Sequence, residues 1–390
     1  MSIRKRTWKT AKGEAKEAWV VDYVDGAGKR RLKTFSKKKE ADAYETTAKH
    51  ELAQGTHTPD SASVTVAEAA ERWLKTCESR DYPVERSTLA FYEQTVRLHI
   101  VPAIGGTKLS KLTTSRVRDF EDDLRKGGVS PAMIRKIRVN LGAVLSDAQE
   151  RGLVARNVVK ELRARRTPGI DKRADERAKG RLEVGVDIPS REEIKALVAS
   201  IKGRWRPLII TAIFTGMRAS ELRGLRWADV NFDKNEINVR QRADRYLKIG
   251  PPKSKSGARA IPMPPLVANT LREWKLACPT KGGLAFPNGQ GNVESHPNIL
   301  QRGLMPAWRA AGVVNPDGSA KYSGLHSLRH FYASWCVNAR KDGGLELSGK
   351  VAQTRLGHST IAMTLDVYGH LFPSGDDGSE LAAAERSLLG

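Results

Sequence analysis

The chain has 390 residues, 39% of them apolar, with 67 Lys and Arg against 44 Asp and Glu, a net charge of +23. That length suits two or three domains of roughly 100–200 residues, the apolar share excludes wholesale disorder, and no apolar run approaches the ~20 residues of a membrane span. Met1–Arg6 leads into no apolar stretch and so is no signal peptide, and Cys77, Cys278 and Cys336 are too few and too far apart for a disulfide framework or a CxxC metal site; a soluble, reducing-compartment protein with a polyanionic partner and no membrane is expected.

The positive charge is concentrated. Residues 1–39 hold thirteen Lys or Arg and four Asp or Glu, a block that repels itself unless something anionic covers it. Ile3–Trp8, Ala18–Val24 and Arg30–Phe35 are β-prone runs, and Asp25-Gly26-Ala27-Gly28 is a hairpin turn between the last two. Ser36 caps a helix expected to reach about Gln54 and stop at Gly55. Residues 1–55 thus read as a three-stranded sheet with one helix. Arg30, Arg31 and Lys33 are expected to face outward, on a ribbon able to enter a major groove. A polar connector with Pro59 follows, up to Ser63.

Residues 64–162 read as an all-helical domain. Val66, Ala69, Ala70, Trp73, Leu74 and Cys77 recur at helical spacing. A second helix starts at Ser87 and is expected to stop at Pro102. A third spans Thr114–Lys126 before Gly127-Gly128. Ser130-Pro131 opens a fourth, with Ile134, Ile137, Leu141, Val144, Leu145 and Ala148 on one stripe. Arg163–Arg181 holds eight Lys or Arg, three acids and one large apolar residue, Ile170. Such a stretch cannot bury a core, so residues 163–186 read as a basic linker. Ser190-Arg191-Glu192-Glu193 is a capping box that opens the last domain, residues 187–390. That domain is α+β and mainly helical, with helices near 191–201 and 205–216 and short strands near 236–240, 245–249 and 258–262.

Four islands in the last domain carry chemistry. Thr215-Gly216-Met217-Arg218-Ala219-Ser220-Glu221 places an arginine just past an apolar helix, with a carboxylate one turn on. Pro252-Lys253-Ser254-Lys255-Ser256-Gly257 sets two lysines on a hairpin. In Leu325-His326-Ser327-Leu328-Arg329-His330, His326 and Arg329 share a helix face. The last pair is Leu356-Gly357-His358 and Leu365-Asp366-Val367-Tyr368. Each alone is bland: an Arg–Glu pair at this spacing is more often structural, and a lone His-x-x-Arg more often surface.

Their order and spacing together resemble the tyrosine recombinases, and within them the phage-type integrases. The resemblance implies catalytic Arg218 with supporting Glu221, the hairpin lysine Lys253 with Lys255 as the alternative, His326 and Arg329, His358, and the nucleophile Tyr368. It also makes residues 1–55 an arm-type DNA-binding domain, 64–162 a core-binding domain and 187–390 the catalytic domain. The segment Lys341–Gly349 is longer and richer in glycine than the family pattern. The implied activity is integration and excision of a mobile element through a 3′-phosphotyrosine, by a homotetramer on double-stranded DNA carrying core-type and arm-type sites. A host DNA-bending protein and an excision factor are the implied accessory partners, and the cytoplasm of a bacterial host, at its nucleoid, the implied location.

The chemistry stands without the family. A tyrosine oxygen can hold a phosphodiester's energy in a covalent bond. Two guanidiniums offer forked, permanently charged donors to the oxygens of the transition state. His326 and His358 can donate hydrogen bonds or move protons, and a lysine can protonate the leaving oxygen. No metal and no cofactor is expected. The acidic run Asp119, Glu121, Asp122 and Asp123 reads as a solvated helix face, no Cys/His ligand set is present, and no GxxxxGK[ST] loop signals ATP. The alternatives are a nicking–closing topoisomerase of related fold and a non-enzymatic, site-specific DNA-binding regulator.

Overall fold

The structure is a computed structural model and describes residues 1–9, 15–26, 28–53, 57, 59–60, 63–81, 84–162, 181–280, 283–373 and 378–389. Chain contacts divide it into two units, Met1–Thr167 and Pro168–Gly390. The greater part of the expected basic linker, residues 163–180, lies outside the described residues, as do Ala27 of the hairpin turn and the expected helix stop at Gly55. Among the described residues no helix is long and apolar enough to cross a membrane.

The first unit begins with an antiparallel sheet in the order β1 (Ser2–Lys9), β2 (Ala15–Val24), β3 (Arg30–Phe35). Helix α1 (Lys38–Ala53) covers one face, burying Val21, Tyr23 and Ala41. Successive strand residues point to opposite faces, so Arg30 and Arg31 cannot both face outward. Only Arg30 does, exposed and bonded to Asp22 at 2.5 Å. Arg31 and Lys33 share the helix-facing side with Phe35: Arg31 Nε donates to Asp25 at 2.7 Å, and Lys33 Nζ lies 2.7 Å from Asp60 and 4.0 Å from the Tyr44 ring centroid. The outward basic positions include Arg4, Arg6, Lys16 and Arg30, on the face that also carries exposed Trp8 and Leu32.

The connector is pinned to the helices that follow. The Lys108 ammonium donates to the Asp60 carbonyl at 2.6 Å, and the Ser110 amide donates to Ser63 Oγ at 3.0 Å. Helix α2 (Val66–Ser79) starts with a Thr65–Glu68 capping box and buries its apolar stripe. Helix α3 (Arg86–Thr95) continues past the expected stop, through a wide turn at Val96–Ile100 into α4 (Val101–Ile104). In that turn the Val101 amide reaches back to the Val96 carbonyl. The wider register accommodates Pro102, which has no amide to donate. Helices α5 (Thr114–Lys126) and α6 (Pro131–Glu150) complete one core around Ile100, Phe120, Ile137 and Leu141.

The acidic run on α5 is not simply a solvated face. Glu121 turns inward, 2% exposed, and meets Arg118, Arg125 and Arg138 within 3.5 Å. Helix α5 rolls its Val117–Phe120–Leu124 stripe into the core, and Glu121 follows that stripe.

In the second unit, Ser190 and Glu193 form the expected capping box for a helix at Arg191–Ser200. The Trp205–Thr215 helix is buried on nearly every side. Strands β4 (Val230–Asn231), β5 (Glu236–Val239) and β8 (Arg259–Pro262) form one antiparallel sheet, and β6 (Arg242–Ala243) pairs with β7 (Ile249–Gly250). The expected strand at 245–249 is mostly the turn between β6 and β7, closed by Asp244 accepting the amides of Tyr246 and Lys248. Helices Pro265–Ala277, His326–Val337, Gly349–Leu356 and Ile361–Tyr368 pack around Leu208, Ile209, Trp308, Leu328 and Tyr332. The glycine-rich stretch after Val337 folds into a compact turn whose amides of Leu345 and Leu347 bond back to Trp335 and Cys336.

The Glu121 cluster yields a stability prediction. Glu121→Ala removes the buried carboxylate that Arg118, Arg125 and Arg138 share, and the three guanidiniums remain partly exposed, so it should cost about 1–3 kcal/mol. Asp123→Ala, on the exposed side of α5, should stay within about 0.5 kcal/mol. Urea midpoints from far-UV circular dichroism check both.

Candidate active site

Four stretches of the second unit converge on one site. The Trp205–Thr215 helix ends at Gly216, which has a left-handed φ of +59°. A Cβ at Gly216 would collide with the Tyr332 ring, so glycine lets the chain turn there and present Arg218. The Gly349–Leu356 helix ends the same way at Gly357, φ +65°, where a Cβ would press on the Arg259 guanidinium and the Ser256 carbonyl.

These two helix ends hold the arginines. Arg329, 2% exposed, donates from Nη1 to the Gly216 carbonyl at 2.6 Å and from Nη2 to the Leu356 carbonyl at 2.5 Å. Arg218 Nη2 donates to the Gly357 carbonyl at 3.0 Å, and its Nη1 to Glu221 Oε1 at 2.8 Å. Helix C-terminal carbonyls lack partners and carry partial negative charge, so they suit a guanidinium. Burial pushes the Arg329 pKa down to about 10, with Arg218 pushing the same way, which leaves it charged at neutral pH.

Glu221 is nearly fully buried and serves two arginines. Its other partner is Arg259, on β8, whose Nη2 donates to Glu221 Oε2 at 2.9 Å and whose Nε donates to the Arg355 carbonyl at 2.7 Å. Burial pushes the Glu221 carboxyl up, but Arg259 and Arg218 outweigh it and hold the pKa below the ordinary value. Arg259 is absent from the sequence reading. A signal was present: it stands two residues before the fully buried Ile261 on one strand, hence on the same face.

The histidines and the tyrosine close the site. His326 lies edge-on to His330, ring centroids 4.5 Å apart, as four-residue spacing on a helix dictates. His358 Nδ1 is 2.9 Å from the buried Thr364 hydroxyl. Tyr368 ends the Ile361–Tyr368 helix, 3% exposed, with its hydroxyl 2.6 Å from His330 Nδ1. Burial, then Arg329 and Arg218, push the His358 pKa down to about 4. The same causes lower His326, and burial with His326 and Arg329 takes His330 to about 4. Burial pushes the Tyr368 phenol up to about 12 against the pull of Arg329. Of the expected site residues, Arg218, Glu221, His326, Arg329, His358 and Tyr368 are brought together. Lys253 and Lys255 stand exposed on the loop between β7 and β8, whose turn reaches the site through Ser256 and Gly257. His330 falls just outside the His-x-x-Arg spacing, so the motif does not mark it.

A family model described as the phage integrase family matches residues 190–374, the stretch holding every one of these side chains, and one described as the phage integrase N-terminal SAM-like domain matches 65–125. The chain belongs to the phage integrase family of tyrosine recombinases. Tyrosine recombinases cut and rejoin DNA at specific sites. A tyrosine recombinase XerC-like protein of Caldanaerobacter subterraneus is 27% identical over 380 residues, covering 90% of each chain. A putative prophage phiRv2 integrase of Mycobacterium tuberculosis is 26% identical, covering 95% of this chain and 92% of its own. The fold matches the Tn1549 transposon integrase solved with transposon right-end DNA, at 18% identity and a TM-score of 0.63, over 83% of this chain and all of that one. It also matches a lambda integrase tetramer bound to a Holliday junction, at 19% identity and a TM-score of 0.54, over 91% and 95%.

The histidines give this recombinase a pH signature. His330 and His358 fall from an ordinary 6.5 to about 4 on folding. Between those values the unfolded chain binds more protons, so stability that is complete above about pH 6.5 is lost as pH falls toward 4. The urea midpoint should drop between pH 7 and pH 5, and His358→Gln should flatten that drop. Tryptophan fluorescence reports it, since five of the eight tryptophans lie in the second unit.

Proposed function

We propose that the chain is the integrase of a mobile genetic element, opening each DNA strand with Tyr368 through a 3′-phosphotyrosine and resealing it to a new partner. The observation that carries this reading is the arginine pair. Arg218 and Arg329 spend their inner donors on helix-end carbonyls and one carboxylate, which leaves a strongly positive, partly buried floor beside a tyrosine. A scissile phosphate would complete the charge balance, and its developing oxyanion would gain most. Arg259 would act through Glu221 to position Arg218. His326 and His358 would donate to phosphate oxygens. Lys253, or Lys255 in its place, would protonate the 5′ oxygen that leaves.

Residues 64–162 and 187–390 would bind core-type DNA, with the basic segment 163–186 between them. Residues 1–55 would bind arm-type sites through the outward sheet face, which carries Arg4, Arg6 and Arg30. The tetramer on a junction described for lambda integrase supports strand exchange by four protomers. Relatives that belong to a prophage, to ICEBs1 of Bacillus subtilis and to transposon Tn916 of Enterococcus faecalis support a mobile element, acting on the nucleoid of a bacterial host.

Nicked duplexes tiled across the DNA flanking the coding sequence should trap a covalent protein–DNA adduct. Tyr368→Phe should bind and form none. Arg218→Ala should slow adduct formation by about 10²–10³-fold, or ~3–4 kcal/mol of lost oxyanion stabilisation. Cleavage should survive EDTA, because guanidiniums carry the charge a metal would carry; loss on chelation with rescue by magnesium would overturn the mechanism.

A second prediction concerns the sheet. Arg4→Glu with Arg30→Glu should weaken binding to a second DNA site and reduce its salt dependence, while leaving core-site cleavage within a factor of about two. Unchanged integration between full sites would remove the arm-binding role.

A further inference from the structure

We propose that His330 accepts the Tyr368 proton during strand cleavage and returns it during resealing. The proposal rests on Tyr368 being the nucleophile. His330 lies outside the Arg, Lys, His-x-x-Arg, His, Tyr pattern. Yet among the described residues it is the histidine bonded to the Tyr368 hydroxyl, at 2.6 Å from Nδ1. The two histidines of the pattern are engaged elsewhere: His358 Nδ1 with Thr364, and His326 edge-on against the His330 ring itself.

The direction of that hydrogen bond follows from the environment. The Tyr368 phenol is pushed up to about 12, so at neutral pH it holds its proton and can donate. The His330 ring is pushed down to about 4, so it is neutral and can offer Nδ1 as acceptor with the ring hydrogen on Nε2. Burial is the largest cause, followed by His326 and Arg329; Asp187, from the segment before the Arg191–Ser200 helix, pulls the other way. A phosphate seated between Arg218 and Arg329 offsets their charge. His330 therefore becomes a better base when the substrate is in place, while the phenol becomes more acidic as its oxygen bonds phosphorus.

The step balances. The Tyr368 O–H bond breaks and its proton goes to His330 Nδ1. The phenolic oxygen bonds phosphorus, the bond from phosphorus to the 5′ oxygen breaks, and that oxygen takes a proton from the loop lysine. In resealing, a 5′ hydroxyl gives its proton back to the loop lysine as its oxygen bonds phosphorus, the bond from phosphorus to the phenolic oxygen breaks, and that oxygen recovers its proton from His330. Nothing is oxidised or reduced.

The test uses the full-length chain and the tiled nicked duplexes, with single-turnover adduct formation followed from pH 5.5 to 9.5. His330→Asn keeps a polar atom near the Nδ1 position but is no base; His330→Ala removes both. Both should be at least tenfold slow at pH 7, should lose the rise in rate with pH that a parent His330 base predicts in the DNA complex, and should gain rate only at the alkaline end. A 5′-bridging phosphorothiolate, whose leaving group needs no acid, should leave them slow while it rescues Lys253→Ala or Lys255→Ala. A parent-like rate for His330→Asn would make His330 a hydrogen-bonding prop and overturn the proposal. A faster His330→Ala would make it a latch on Tyr368, also overturning it. If His330→Ala fails to fold, His330→Asn decides alone. An adduct that persists in Tyr368→Phe would instead overturn the underlying reading of the nucleophile.

Discussion

The second unit is organised around an unbalanced charge. Arg218, Arg259 and Arg329 are gathered below one surface, and among the described residues Glu221 is the carboxylate that pairs with Arg218 and Arg259, while Arg329 pairs with none. Burying a guanidinium without a counter-ion is expensive unless its donors are satisfied. Here the balance comes from backbone: the carbonyls of Gly216, Leu356 and Gly357, at the ends of two helices, accept from Arg329 and Arg218. That solution satisfies each inner donor and still leaves net positive charge facing outward. An anion with several oxygens is what such a floor lacks.

The solution constrains the rest of the unit. Two helices must end at one place, and both do so through a glycine in the left-handed region, with no room for a Cβ. The Tyr332 ring that fills the space at Gly216 lies on the same helix as Arg329, so the helix carrying His326, Arg329 and His330 is fixed in rotation by the contact that shapes the Arg218 turn. Tyr368 then shares one buried cluster with Leu356 and Ala352 of the neighbouring helix, with its hydroxyl on His330. Burial first, and then the positive charge that would attract a phosphate, hold the pKa values of His326, His330 and His358 down, which suits them to accept a proton or donate one hydrogen bond.

The first unit uses its charges differently. The buried Glu121 collects three partly exposed arginines at the edge of the helical core, while Asp25 and Asp60 draw Arg31 and Lys33 toward the helix side of the sheet. Much of the basic character of this unit is therefore spent internally. On the sheet, the part left for an outside polyanion is smaller than composition suggests, and it lies on the face that carries Arg4, Arg6 and Arg30.

By itself the sequence determined the order of elements, the caps at Ser130 and Ser190, the apolar stripes of α2 and α6, and the identity of six side chains that meet in the site. These are local: periodicity and capping act within a few residues, and the spacing of the Arg, His-x-x-Arg, His and Tyr islands survives in one dimension. What it could not determine depended on partners distant in the chain. Strand alternation already forbade Arg30 and Arg31 from sharing a face, but only Asp25 and Asp60 show where Arg31 and Lys33 go. Pro102 is a helix stop by propensity and becomes an interior residue because a wide turn supplies a register without its amide. Arg259 and His330 carry no motif of their own. Their roles arise because Glu221, 38 residues from Arg259, and Tyr368, 38 residues from His330, are folded to within hydrogen-bonding distance, and that proximity is a property of tertiary packing alone.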